Sequence, residues 1–235
     1  WPPLSAPSQK LTAKSYETSG ITFTDLEASY RLVEGDGPFP ESLPLLLVEH
    51  AQLRFGRGVF EVSEVLIDPL SDRQTATVGV EGLELKDLFD LADIEDVTGE
   101  GPMSGSVPIR LQGSEVVIED GYLESTGPGV FRIRSAEAKA ALQNAGDYVD
   151  LVLQALENFQ YERLSIALNK PAEGNSVLQL KVLGSNPEVL DGHPFDINLN
   201  LETDLGPLLE ALTAGQRLSE ELMQRIRQQR QGGTQ

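Results

Sequence analysis

The stretch GPMSGSVPIRL (101–111), QGSEVVIEDGYLES (112–125), TGPGVFRIR (126–134) decides the fold. Val107, Ile109 and Leu111 point one way, and Ser106, Pro108, Arg110 and Gln112 the other. Val116 and Ile118 continue the alternation, Glu119-Asp120-Gly121 reads as a turn, and Tyr122 and Leu123 resume. Gly127-Pro128-Gly129 turns again into Val130, Phe131 and Ile133. Period-two alternation between turn signals specifies antiparallel sheet with one wet face.

Outward from there the pattern repeats. Toward the N-terminus, Gly20 opens a strand in which Leu26, Ala28, Tyr30 and Leu32 alternate with Asp25, Glu27, Ser29 and Arg31. Glu34 to Pro44 is a breaker-rich loop. Leu45 to Phe55 and Val59 to Ile67 form a hairpin across Gly56-Arg57-Gly58, and Ala76, Val78 and Val80 alternate with Thr75, Thr77 and Glu81. Leu85 to Glu95 changes period: Leu85, Leu88, Phe89 and Ala92 make one helical face, with Asp87, Asp90, Asp93 and Asp96 on the other.

Toward the C-terminus, Ser135 to Phe159 reads as the main helical region, broken at Asn144-Ala145-Gly146-Asp147, with Tyr148, Val152, Ala155, Leu156 and Phe159 as its second apolar stripe. Strands resume at Leu164-Ile166-Leu168, Leu178-Leu180-Val182 and Ile197-Leu199-Leu201. Asp204 caps a helix with Leu205, Leu208, Leu209 and Leu212 inward, and Leu218, Leu222 and Ile226 mark a last one. The expected fold class is α+β, mostly β: an up-and-down antiparallel sheet with a few amphipathic helices packed on or capping it. Residues 1–14 read as a loose lead-in, 15–227 as a single domain and 228–235 as a frayed polar tail.

Net charge is −19 over 235 residues, a field that repels nucleic acid and anionic bilayers. Cysteine is absent, which removes disulfides, thiolate catalysis and Cys-based metal sites. No run approaches the ~20 apolar residues of a membrane span. Trp1-Pro2-Pro3 is no nascent start, so the chain reads as a piece of something longer.

The inventory for catalysis is thin. His50 lies in a strand and His193 in a turn, no G-x-S-x-G elbow surrounds a serine, and no phosphate-binding loop is present, so no catalytic residue, metal or cofactor is expected. The acids Asp87, Asp90, Asp93, Glu95, Asp96 and Glu100 lack the EF-hand spacing and read as a solvated helix face. Arg217, Arg225, Arg227 and Arg230 read as a solubilising terminal cluster. About nine one-sided strands face about four helical segments. An ordinary core and an apolar face left partly open for acyl chains both fit that pattern.

One resemblance adds to this. Gly101-Pro102-Met103-Ser104-Gly105-Ser106-Val107-Pro108-Ile109 resembles a segment near the C-terminus of YdbH-like proteins. The order continues through Asp120-Gly121-Tyr122-Leu123, Gly127-Pro128-Gly129-Val130, Leu156-Glu157-Asn158-Phe159-Gln160-Tyr161, Gly184-Ser185-Asn186-Pro187 and Ile197 to Leu205. It covers Gly101 to Leu212, and the related AsmA-like architecture of TamB fits less well.

The resemblance implies a long sheet curled into an apolar groove, of β-groove or taco type. It also implies a periplasmic bridge in a Gram-negative bacterium, anchored in the inner membrane by a segment absent here, that moves phospholipid between membranes. A small outer-membrane lipoprotein would add strands at its C-terminal end. This chain would be the outer-membrane-proximal segment of that bridge, or a non-conducting cap that docks the lipoprotein. Groove candidates are then Leu26, Ala28, Tyr30, Leu32, Ala76, Val78, Val80, Val107, Ile109 and Leu111; docking candidates are Ile197, Leu199 and Leu201.

Overall fold

The computed structural model describes residues 7–18, 21–35, 44–91, 96–112, 115–133 and 147–203. The helices read at Ser135 and after Asp204, the C-terminal arginine cluster and the tail 228–235 lie outside them. The described chain is mostly antiparallel sheet. Its strands are β1 (Gln9–Thr18), β2 (Ile21–Val33), β3 (Leu45–Phe55), β4 (Gly58–Ile67), β5 (Arg73–Glu84), β6 (Val97–Glu100), β7 (Pro102–Gln112), β8 (Glu115–Ser125), β9 (Gly129–Ile133), β10 (Phe159–Lys170), β11 (Ser176–Ser185) and β12 (Phe195–Thr203). Two helices, α1 (Leu85–Leu91) and α2 (Asp147–Leu156), and a 3-10 turn at Leu190–Gly192 interrupt them.

The order across the sheet is β1-β2-β3-β4-β5-β7-β8-β10-β11-β12, an up-and-down path with two detours. α1 and β6 stand between β5 and β7; β9 and α2 stand between β8 and β10. The detours meet, because β6 pairs with β9 and β9 with the start of β10. β10 is shared along one edge: Phe159–Tyr161 pair with β9, and Ser165 to Lys170 pair with β8. The sheet therefore forks beside Tyr161. Phe89, Phe131, Leu85 and Met103 are buried at this fork and belong to a larger apolar cluster among the described residues, with the Phe89 and Phe131 rings 5.9 Å apart and tilted.

The stretch 101–134 supplies β7, β8 and β9, and its glycines are explained by this fork. Gly101 has φ +126, and a Cβ there would overlap the Tyr161 hydroxyl. A Cβ on Gly105 would overlap the Tyr122 carbonyl on β8. Tyr161 is 1% exposed and its Oη donates to the Glu100 carbonyl at 2.9 Å. Burial pushes its pKa up to about 12. Asn186, also buried, donates from Nδ2 to the carbonyls of Gln154 and Ala155 at 3.1 and 3.2 Å, tying off the end of α2.

Several sequence expectations change. Glu119-Asp120-Gly121 does not turn the chain; it is a bulge inside β8, with Asp120 at φ 57 and register shifts against both β7 and β10. A turn and a bulge share the same left-handed residue, so composition alone does not separate them. Gln9 to Lys14, read as lead-in, belong to β1 and pair with β2 from Tyr30 to Leu26 and onward. Phe159 opens β10 and does not continue the helical stripe. The four-residue β6 was missed, being too short for its period to register. Further bulges at Asp25 (φ 50) and Gly82 (φ 63) coincide with register shifts in β2 and β5. Bulges bend strands and increase twist, which is how a long sheet is made to curl.

Candidate apolar groove

Cross-strand pairing fixes which side chains share a face. Ala28 lies opposite Ala51, which lies opposite Val62; Tyr30 opposite Val48 and Val65; Leu32 opposite Leu46 and Ile67. Leu53, Phe60 and Val80 form another row. On the far side of β5, Ala76 lies opposite Ile109, Val78 opposite Val107, and Gln74 opposite Leu111. The result is one apolar face running from β2 to β7.

The opposite face is polar and ion-paired. Arg31 meets Glu49 at 3.1 Å, and Arg110 forks onto Glu119 at 2.7 and 3.1 Å. Arg57 reaches Glu84 at 3.4 Å. These pairs are largely solvated and contribute little to stability, but they mark the wet side.

The apolar face is covered unevenly. On β10 and β11, Leu164, Ile166, Leu178, Leu180 and Val182 are all buried. On β2 to β5 Phe23, Val80 and Leu83 are buried, but the other equivalent residues are only half-buried, and Leu32 is 41% exposed. Between these regions lies a cavity of about 210 Å³. Phe23 and Leu26 of β2 line it, with Leu53 of β3, Phe60 and Val62 of β4, Val78 and Val80 of β5, Val107 and Ile109 of β7, Ile118 and Leu123 of β8 and Leu168 of β10. Leu83 and Leu88 of α1 and its approach also line the cavity. Gln52 and Glu61 are the polar residues at its border.

This lining shows that the sheet is curled. β2 and β10 stand six strand positions apart in the sheet order. Flat strands about 4.8 Å apart would hold them about 29 Å from each other. Phe23 and Leu168 nevertheless border one small cavity, so the apolar face is the concave one.

Of the groove residues named from sequence, Leu26, Val78, Val80, Val107 and Ile109 line the cavity. Ala28, Tyr30 and Leu32 continue from it along β2, and Ala76 and Leu111 along β5 and β7. Phe23, Leu53, Phe60 and Leu83 were not named. Phe60 was visible as an alternating apolar residue, but its placement needs the register of β4. Ile197 and Leu199 lie on β12, and Leu201 takes its place in that strand opposite Leu178. Among the described residues β12 is paired only on its β11 side.

The two histidines do not meet a catalytic partner set. His50 Nδ1 lies 3.1 Å from Ser63 Oγ on the exposed face, and the His193 ring stands edge-on to Phe195 at 6.4 Å. On α1, Lys86 pairs with Asp90. The Asp87 carboxyl is held above its ordinary pKa, chiefly by burial against the Gly56 turn and in smaller part by its acidic neighbours. Among the described residues no group of three or more acidic or histidine side chains is placed to hold a metal, and no helix is long and apolar enough to cross a membrane.

Comparison with known proteins gives the family. A family described as "YdbH-like: Intermembrane phospholipid transport protein YdbH" matches residues 1–227. The "Probable phospholipid transport protein YdbH" of Escherichia coli K12 is 25% identical over 200 residues, covering 83% of this chain and 22% of that protein. The chain thus spans about a fifth of the length of this curated relative. No solved structure matches. The chain belongs to the YdbH-like family, whose described role is intermembrane phospholipid transport.

Proposed function

We propose that this chain is the C-terminal, outer-membrane-proximal segment of a periplasmic phospholipid bridge, and that its concave face carries acyl chains. The observation that carries the reading is the half-open apolar face ending in the 210 Å³ cavity. That volume is many times the roughly 10–15 Å³ that one water needs, room for a stretch of acyl chain. Each methylene withdrawn from water there stabilises the complex by about 0.8 kcal/mol. Beyond the cavity, Ala28, Tyr30, Leu32, Ala76 and Leu111 extend the apolar track. The fork built on Tyr161, α1 and α2 closes the track toward β10 and β11.

The test is lipid extraction with native mass spectrometry on the purified chain, compared with Val78→Arg and Ile109→Arg. Phospholipid bound to the parent chain and lost from folded arginine variants supports the reading. A lipid-free parent chain, or arginine variants that retain the lipid, overturns it.

A second role is favoured by β12, which among the described residues is paired only on its β11 side; the unpaired backbone groups of such an edge are a template for an added strand. Ile197, Leu199 and Leu201 would then border the dock of a small outer-membrane lipoprotein. Docking and conduction are compatible in one segment.

A further inference from the structure

The hairpin of β4 and β5 is paired only at the end away from its turn. Val59, Phe60 and Glu61 lie opposite Glu81, Val80 and Gly79. From Val62 to Ile67 and from Arg73 to Val78 the two strands have no ladder pairs with each other. Neither strand frays: β4 stays paired with β3 through Ile67, and β5 with β7 from Arg73. The turn is closed by a side chain. Gln74 Nε2 donates to the Asp68 carbonyl at 2.6 Å, and Gln74 Oε1 accepts from the Asp68 N–H at 3.3 Å. The outcome is a window in the sheet, shut at one end by three ladder pairs and at the other by a glutamine amide. Glu64, at φ 56, bends β4 along its rim.

The window lies between the groove and the polar face. A recess of about 570 Å³ is bordered by residues 63–66 of β4 and 75–77 of β5, with Pro108, Arg110 and Glu119 behind. Val62 and Val78 line the apolar cavity, while the next residue on each strand's window side, Ser63 and Thr77, lines the recess. Ile109 borders both. The mouth is polar, with the hydroxyls of Ser63, Thr75 and Thr77 and the Arg110–Glu119 pair, and the exposed Leu66 lies beside it.

We propose that this window is a side port, through which one acyl chain of a phospholipid reaches the concave face while the head group stays at the polar mouth. The inference rests on the groove reading above. The lining is amphipathic in the order a phospholipid requires, polar at the recess and apolar in the cavity, with Ile109 shared by the two. A peptide strand fits less well. It would have to run along β4 and β5 past both closed ends, whereas an acyl chain crosses the sheet plane and needs no hydrogen-bond partner.

The absence of cysteine makes a direct test available. Ser63→Cys and Thr77→Cys, joined by a short bismaleimide, staple the window. Val59→Cys and Glu81→Cys, joined in the same way, staple the part of the hairpin that is already paired. Both proteins are exchanged against vesicles of phosphatidylethanolamine and phosphatidylglycerol carrying a pyrene-labelled phosphatidylethanolamine. A side port predicts that the window staple slows uptake by about tenfold or more, about 1.4 kcal/mol on the barrier, while the control staple does not. Equal rates with the two staples overturn the side port and leave the groove reading standing. No uptake by the unstapled chain overturns both.

Discussion

Replacing Tyr161 by phenylalanine tests the fork that closes the groove, and it does so with a signed dependence on pH. The hydroxyl is buried and donates to the Glu100 carbonyl at 2.9 Å. Its removal forfeits one neutral hydrogen bond and leaves a buried acceptor, a cost of about 1–2 kcal/mol. The alkaline limb runs the other way. Tyr161 titrates at about 12 in the folded chain, against about 10 in an unfolded one. Between those values the unfolded chain releases a proton that the folded chain keeps, so the contribution of Tyr161 is intact below about pH 10 and is lost as pH rises toward about 12. At about 1.4 kcal/mol per unit, the loss approaches about 3 kcal/mol. Urea unfolding of both proteins, at about pH 8 and about pH 11.5, isolates the difference, since every other titrating group is common to the pair. The parent should be the more stable at the lower pH, and its advantage should vanish or reverse at the higher. A stability difference that is the same at both values would refute the buried, hydrogen-bonded tyrosine.

Two further outcomes follow from the same structure. Gly105→Ala forces a methyl against the Tyr122 carbonyl, which belongs to the sheet backbone and cannot move aside; thermal unfolding should show a loss of about 2 kcal/mol or more, and an unchanged midpoint would mean β7 and β8 are not in this register. A proline at a β12 position whose N–H points away from β11 should abolish lipoprotein capture in a pull-down yet leave the fold intact, and undiminished capture would remove β12 as the dock.

Much of the architecture was legible because each strand carries its own record. Leu45 to Phe55, bounded by Pro44 and Gly56, emerges as β3 with those bounds. The glycine and proline breaks around 127–129 and 171–175 mark real ends of strands. That the ten named residues share one face of the sheet was also readable within each strand, since period two sends alternate side chains to the same side; whether that face carries lipid is a separate proposal. The uneven covering of that face was not readable. Whether Leu178 is buried and Leu32 exposed depends on what the sheet curls toward, and period two is the same in both strands. The fork at Tyr161 was hidden for a similar reason. It depends on β10 changing partners midway, from β9 to β8, and only three-dimensional pairing records that change. The motif glycines were visible, but their purpose became clear only beside the Tyr161 hydroxyl and the Tyr122 carbonyl. The window between β4 and β5 has no sequence signature: β5 alternates as a paired strand does, and the break in period at Ser63-Glu64 does not say which neighbour is lost.

Site-specific photo-cross-linking in cells tests the central claim most directly. A benzophenone side chain is placed at Val78 or Ile109 on the concave face, and at Ser106 or Glu81 on the convex face. The account predicts phospholipid adducts at the two concave positions and none at the two convex ones. Adducts at all four positions, or at none, would contradict a lipid-carrying groove.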